Sequence, residues 1–221
     1  ENSEINTLKN CSYKTNTENF GRSKTRNLLA KHAQFDWLLF LDADTLPKDN
    51  LFISNYINYF DTNYKAINGG IVYQENSPAK NQMLRWNYGT KREALPFQKR
   101  NENPYLSFLT LNFLIHKDVF KTVSFNDKIP NFRHEDTLFS FELSNHEIKT
   151  LHIDNPVIHY GLDTNEIFLK KSKEAVENLK YLHDKNLITS DYVKLLNLAV
   201  KIKSIGLKSV FESFYNIFKK K

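Results

Sequence analysis

Three groups of residues carry side chains whose types and spacing suit catalysis. Asp42-Ala43-Asp44 places two carboxylates one residue apart. Such a pair can share a hard divalent cation that also takes phosphate oxygens; two solvated aspartates on a loop are the commoner reading of the triplet alone, and the apolar run before it favours a site. Glu135-Asp136 is a second acidic pair. A carboxylate there suits general-base work toward a hydroxyl, and at a helix start it also suits simple capping. His159, two residues before Gly161, is the third. A neutral imidazole can ligate a metal. His116, His134 and His152 compete with it on local grounds, and no histidine has metal-binding spacing to another.

The elements that would hold these groups follow from the hydropathy pattern. Residues 22–33 read as a helix with Leu28, Leu29 and Ala33 on one face. The apolar run from Phe35 to Leu41 predicts a buried strand of the kind found in a mostly parallel sheet covered on both faces. Its carboxyl end, where ligands bind in open α/β sheets, is occupied by the two aspartates. A helix is expected over 51–60, and a strand over 66–73 broken by Gly69-Gly70. Residues 76–107 are dense in polar and aromatic side chains and read as a functional loop region or a short helix plus loop. A third strand is expected over 108–115, with a short helix around 117–122. A turn at 130–133 leads to a helix from Glu135 to Leu143. Short strands at 150–153 and 157–159 precede helices from Asn165 to about Leu182 and from Ser190 onward. Strands alternating with helices argue an α/β fold.

Taken together and in order, these motifs resemble the family 2 inverting glycosyltransferases, which adopt the GT-A fold. Asn19-Phe20-Gly21 followed by Arg26-Asn27 resembles the family's N-x-G…R-N helix start. Trp37 to Asp44 is similar to its strand plus DXD motif, Thr110 to Ile115 to its acceptor-side strand, and His134-Glu135-Asp136 to its ED motif. His159 follows Asp136 by twenty-three residues, where some members carry a metal-binding histidine. The resemblance implies transfer of a sugar from a nucleotide-sugar donor, UDP- or GDP-linked, to an acceptor hydroxyl. In it Asp42, Asp44 and His159 hold Mg²⁺ or Mn²⁺, and Arg26, Asn27 and Asp42 lie near the nucleotide. Asp136 is the base, with Glu135 orienting it or the acceptor. Arg85, Trp86, Tyr88, Arg100, Tyr105 and Asn112 are the candidates for acceptor contacts. For the aromatics among them, ordinary packing is an equal reading.

The resemblance also sets expectations for organisation. A GT-A-like mostly parallel sheet flanked by helices is expected over 1–163, with a C-terminal helical extension over 164–221. Family members open with a strand, helix and second strand, whereas residues 1–19 hold at best a short edge strand near Cys11–Thr15. At least one βαβ unit is therefore expected to be absent, so that the chain is a fragment of a longer protein or a degenerate copy.

Composition bounds the remaining possibilities. The 221 residues are 40% hydrophobic and 25% charged, which excludes a disordered or coiled-coil chain. One cysteine, Cys11, excludes a disulfide framework or a cysteine-rich zinc site. The net charge of +6 suits an anionic partner or none, and no motif for nucleic acid accompanies it. No run of about 18 apolar residues could span a bilayer. Leu207, Val210, Phe211, Phe214 and Phe218 form a helical stripe ahead of Lys219-Lys220-Lys221. That stripe suits either a membrane-surface helix or one packed on the domain. The expected setting is cytoplasmic, peripheral on the inner membrane face, with a glycan or glycolipid acceptor. A non-catalytic remnant and a metal-dependent nucleotide hydrolase are the alternatives.

Overall fold

Leucine and phenylalanine alternate with tryptophan and leucine along β1 (Trp37–Leu41), and each set meets its own apolar layer. Leu38 and Phe40 enter one core cluster with Phe113, Ile115, Phe125 and Phe139. Trp37 and Leu39 pack on a second, centred on Phe52, Tyr56, Ile67 and Leu114. The strand is thus covered on both faces, as its apolar run requires. Among the described residues it lies at one edge of its sheet, with Leu41 at its exposed end. The computed structural model describes residues 3–129 and 133–207.

The chain order is α1 (Gly21–His32), β1, β2 (Thr45–Pro47), α2 (Phe52–Ile57), β3 (Ala66–Asn68), β4 (Ile71–Val72), α3 (Met83–Arg92), α4 (Phe97–Asn101), β5 (Asn112–His116), α5 (Glu135–Asn145), β6 (Thr150–His152), β7 (Val157–His159), α6 (Asn165–Asp184) and α7 (Lys194–Ser204). Among the described residues two sheets form, ordered β1-β5-β3-β6 and β2-β7-β4. The expected α/β architecture with flanking helices holds. The expectation of mostly parallel pairing needs correction. In the larger sheet β1, β3 and β6 run the same way, but β5 is inserted between β1 and β3 in the opposite sense. One reversed strand in the middle makes two of three ladders antiparallel. In the smaller sheet β2 pairs antiparallel and β4 parallel with β7.

Gly69-Gly70 breaks the strand at 66–73 as expected, and it does so by sending β3 and β4 to different sheets. Gly70 takes φ +81°, a left-handed conformation open to glycine at little cost. A Cβ on Gly69 would lie 2.3 Å from the Asn155 carbonyl, so the switch point is packed backbone against backbone.

Residues 76–107, read as a functional loop region or a short helix plus loop, contain two helices, α3 and α4. The regular part of the third strand starts at Asn112, not Phe108, and no strand forms near Cys11. The expected turn over 130–133 lies mostly outside the described residues.

Helix α5 is apolar on two sides. Phe139 and Leu143 join the first cluster, while Leu138 joins Leu179, Leu182, Ile188 and Leu196 from α6, α7 and their link. Phe125 and Phe139 stack with centroids 4.0 Å apart at the base of this layer. Burial on both sides fixes α5, and its N-terminus carries the acidic pair.

Candidate active site

The two acidic motifs meet through one arginine. Arg26, on the buried face of α1, sends Nη2 to Asp42 Oδ1 at 2.8 Å and to the Thr110 carbonyl at 3.2 Å. Its Nη1 lies 3.5 Å from Glu135 Oε1. Glu135 also accepts from Arg22 Nη2, at 2.9 Å on Oε1 and 3.1 Å on Oε2. Buried to 2% exposure, its carboxyl is pushed up to about 7, chiefly by desolvation and next by the charge of Asp136, against the pull of Arg22 and Arg26. Arg26, expected beside the nucleotide, is thus a brace between the motifs.

Asp136 follows at the first turn of α5, half-buried, its Oδ1 accepting the Thr137 backbone N–H at 2.8 Å. His134, just before the pair, sits at φ +62°, left-handed for a non-glycine residue, and its Nδ1 is 3.1 Å from Thr137 Oγ1. Strain of this kind concentrates at functional sites. A cavity of about 370 Å³ opens beside Asp136. Thr137 and Ser140 line it from α5, with Lys99, Asn103 and Phe108 opposite and Lys194 from α7. None of these was singled out in the sequence. Lysine and asparagine in a polar stretch carry no spacing signal.

A tight turn after β1 positions the second aspartate. Thr45 N–H and Thr45 Oγ1 both donate to the Asp42 carbonyl, at 3.1 and 2.7 Å. The β2–β7 ladder then sets Thr45 opposite His159, and Tyr160 N–H donates to the Asp44 carbonyl at 2.9 Å. As a result Asp44 Oδ2 stands 3.3 Å from His159 Nε2. Asp44 is half exposed, whereas His159 is buried. A Cβ on Gly161 would fall 1.9 Å from Asp44 Oδ2 and 3.0 Å from His159 Nε2. Only glycine leaves this cradle clear.

Among the described residues no group of three or more His, Cys, Asp or Glu side chains is placed to hold a metal ion. The Asp44–His159 pair fits a smaller demand. One carboxylate oxygen and one imidazole nitrogen suit a divalent cation that completes its shell with phosphate oxygens and water. Their separation is near the roughly 3 Å of adjacent ligands each about 2.1 Å from a metal. Asp42 is turned to Arg26 instead.

Behind His159 lies a second layer. His159 Nδ1 is 3.3 Å from the Tyr73 hydroxyl, which donates to Glu93 Oε2. Burial, reinforced by Glu93, pushes the Tyr73 hydroxyl far above its ordinary pKa. The same Glu93 oxygen accepts from Arg85 Nη2 at 2.9 Å. Sequence reasoning missed both Tyr73 and Glu93, which lie twenty residues apart with no motif between them.

Several expected contacts are committed elsewhere. Asn27 exchanges two hydrogen bonds with the Phe125 backbone, at 2.8 and 3.0 Å, and so pins α1 rather than a nucleotide. Asn112 is fully buried, donating to the Gly70 and Asn155 carbonyls and accepting from Tyr56. Arg100, 4% exposed, donates to the carbonyls of Leu95, Asn68, Gly69 and Ile153, and its Nη1 is 2.8 Å from His152 Nδ1. Burial pulls its pKa down to about 10. Neither Asn112 nor Arg100 can reach an acceptor, because their polar atoms are spent holding the sheet switch. Trp86 donates to the Gln74 carbonyl, Tyr105 to the Ile148 carbonyl, and Tyr88 leans on Phe168 of α6. None of the six acceptor-side candidates lines the cavity beside Asp136.

The model of "Glycosyl transferase family 2" matches residues 3–124. No curated protein matches. Among solved structures the chain is similar to glucosyl-3-phosphoglycerate synthase from Mycobacterium tuberculosis, solved with Mn²⁺, UDP-glucose and phosphoglyceric acid. The identity is 10% and the TM-score 0.45, with 72% of this chain and 53% of that one covered. Mannosyl-3-phosphoglycerate synthase from Rubrobacter xylanophilus gives 12% and 0.45, with 77% and 53% covered. TarS 1–349 from S. aureus gives 13% and 0.40, with 65% and 39% covered. The chain spans about half the length of the first of these structures or less. The family match extends over more than half of the sequence and takes in α1, β1, the Asp42–Asp44 turn and β5, and on that ground the chain belongs to glycosyl transferase family 2.

Proposed function

We propose that this chain carries the metal-binding and base-bearing part of a glycosyltransferase that moves a sugar from a UDP- or GDP-linked donor to an acceptor hydroxyl with inversion. The observation that carries the reading is the Arg26 bridge. It joins the carboxylate at the end of β1 to the acidic pair at the start of α5, so two motifs 93 residues apart form one site.

Asp44 and His159 would hold Mg²⁺ or Mn²⁺, which when bound supplies Lewis-acid stabilisation of the departing diphosphate, worth several kcal/mol. Asp136 takes the proton of the acceptor hydroxyl. The acceptor oxygen forms its bond to the anomeric carbon as the bond to the diphosphate breaks, and one displacement with one base inverts that carbon. Thr137 N–H holds one Asp136 oxygen and so orients the carboxylate. The cavity beside it is where an acceptor would lie, with Asn103 offering polar contacts and Phe108 an apolar wall. Glu135, gripped by Arg22 and Arg26, holds the start of α5 in place.

We divide the chain into a transferase unit over 1–163 and a helical extension over 164–221. In the extension, Leu195 and Leu198 are exposed on α7 and Ile205 just past its end, with Lys201 and Lys203 in its last turn. This pattern supports contact with an anionic membrane face; a glycan or glycolipid acceptor there, on the cytoplasmic side, belongs to the same proposal. Among the described residues no helix is long and apolar enough to cross a membrane. The rest of the tail stripe, Val210 to Phe218, lies outside the described residues.

The test is release of nucleoside diphosphate from a panel of UDP- and GDP-linked sugars, with Mn²⁺ or Mg²⁺ and simple hydroxyl acceptors. Release that needs the metal, the acceptor and Asp136 supports transfer. Acceptor-independent release of free sugar would favour a hydrolase.

A further inference from the structure

Tyr73 stands between the Asp44–His159 pair and helix α3, and the direction of its hydrogen bonds can be derived. Glu93 Oε2 accepts from Arg85 Nη2, and a carboxylate paired to a guanidinium has no proton to give. In the bond between Tyr73 and Glu93 the hydroxyl is therefore the donor. That hydroxyl has a single proton, so toward His159 Nδ1 its oxygen acts only as acceptor. In the neutral ring Nδ1 then carries the single imidazole hydrogen, and Nε2 keeps its lone pair, 3.3 Å from Asp44 Oδ2. Two acceptors facing each other at that distance repel unless a cation is shared between them.

Helix α3 holds this chain of bonds. Arg85, Gly89 and Glu93 recur every four residues and share one face. The Arg85 guanidinium lies 5.4 Å from the centre of the Tyr73 ring. A Cβ on Gly89 would fall 2.2 Å from Tyr73 Cζ, so the helix backbone presses directly on the ring. The Tyr73 ring also meets the His159 ring edge-on, with centroids 5.5 Å apart.

We propose that Tyr73 and Glu93 are positioning residues that fix His159 as its Nδ1-protonated tautomer and so aim the Nε2 lone pair, beside Asp44, at a divalent cation. This rests on the reading of Asp44 and His159 as metal ligands. A ligating histidine is oriented in this way by whatever its other ring nitrogen donates to, and loss of that partner typically costs 10–100-fold in metal affinity.

The test reads the tautomer directly. In the full chain with ¹⁵N-labelled histidine, at pH 8 and without metal, long-range ¹H–¹⁵N spectra should show His159 with a protonated Nδ1 and a bare Nε2; the signal is assigned by its loss in His159→Gln. In Glu93→Gln the amide can donate to the Tyr73 oxygen, which turns the tyrosine proton toward Nδ1 and moves the imidazole hydrogen to Nε2. Titration with Mn²⁺ in the presence of UDP should then lose about 10–100-fold in affinity. Tyr73→Phe keeps the ring, so its fold is checked by circular dichroism, and it should lose at least about tenfold. A protonated Nε2 in the wild-type chain overturns the proposal without recourse to any variant. An unchanged tautomer and Mn²⁺ affinity in Glu93→Gln overturns it as well. The expected tautomer with no Mn²⁺ binding by the wild-type chain would instead overturn the metal reading and with it the metal-directed half of the proposal.

Discussion

Arg26 and Asp42 form a 2.8 Å ion pair in which the guanidinium is 6% exposed and the carboxylate 25% exposed. The same guanidinium reaches Glu135, so one buried cation ties the end of β1 to the start of α5. Replacing Arg26 by alanine leaves two carboxylates without their shared partner. Breaking a buried pair by removing one member costs about 3–5 kcal/mol. Arg26→Ala should therefore lose stability on that scale in urea titration, and Arg26→Lys, which has no fork to span both partners, should fall between. A loss under about 0.5 kcal/mol, the level of an ordinary surface change, would show that the bridge is incidental.

Gly161 sits against the Asp44 carboxylate with no room for a side chain. Gly161→Ala should displace Asp44 Oδ2 and weaken metal-dependent nucleotide binding by about tenfold or more, a scale set by what misoriented ligands cost. Asp44 is half exposed and can swing into solvent, so the melting temperature should move little. Unimpaired metal-dependent binding in this variant would place the cation elsewhere.

Asp136 borders the cavity and is the one carboxylate of the acidic pair not held by the two arginines. Asp136→Asn keeps the side-chain shape and removes the proposed base. Transfer should fall by about 10²–10⁴-fold, the usual contribution of general-base catalysis, with donor affinity nearly unchanged. Wild-type turnover in this variant would remove Asp136 from that role.

His152 gives the fold an acid-sensitive point. It is 1% exposed, and burial, with Arg100 adding, pulls its pKa down to about 4 although its hydrogen bond to the Pro104 carbonyl opposes this. Below the ordinary histidine value of about 6.5 the unfolded chain takes up a proton that the folded chain refuses. Stability is therefore full above about pH 6.5 and is lost as pH falls toward 4, by at most about 3 kcal/mol from this group. His152→Gln keeps a donor and an acceptor without the titration. Its stability curve should be flatter than wild type by that amount between pH 6.5 and 4, measured by urea unfolding at each pH, and parallel curves would rule the effect out.

The elements nearest the chemistry were the most legible in sequence. An apolar run ending in Asp42-Ala43-Asp44 has one simple solution, a covered strand with its carboxylates at the tip, and that is what β1 forms. The break at Gly69-Gly70 and the acidic start of α5 were equally plain, because local conformation decides both. Strand direction was not legible. Periodicity reports which faces are buried and not which way a strand runs, so the reversed β5 could not be seen. The acceptor-side candidates drew attention as arginines and aromatics in a polar stretch. Arg100 shows why that signal misled: its partners at Asn68, Gly69, His152 and Ile153 lie 31 to 53 residues away. An arginine that meets buried carbonyls and one that meets a ligand look alike in a linear sequence. Tyr73 and Glu93 were missed for the same reason, since only the packing of α3 brings them together.

The central claim is that Asp44 and His159 form a donor site that works through a divalent cation. Calorimetric titration of the chain with UDP and with GDP, each with and without Mn²⁺, addresses it most directly. The account predicts binding of one nucleotide that depends on Mn²⁺ and disappears in Asp44→Ala. Nucleotide binding that is the same without Mn²⁺, or that survives in Asp44→Ala, would contradict it.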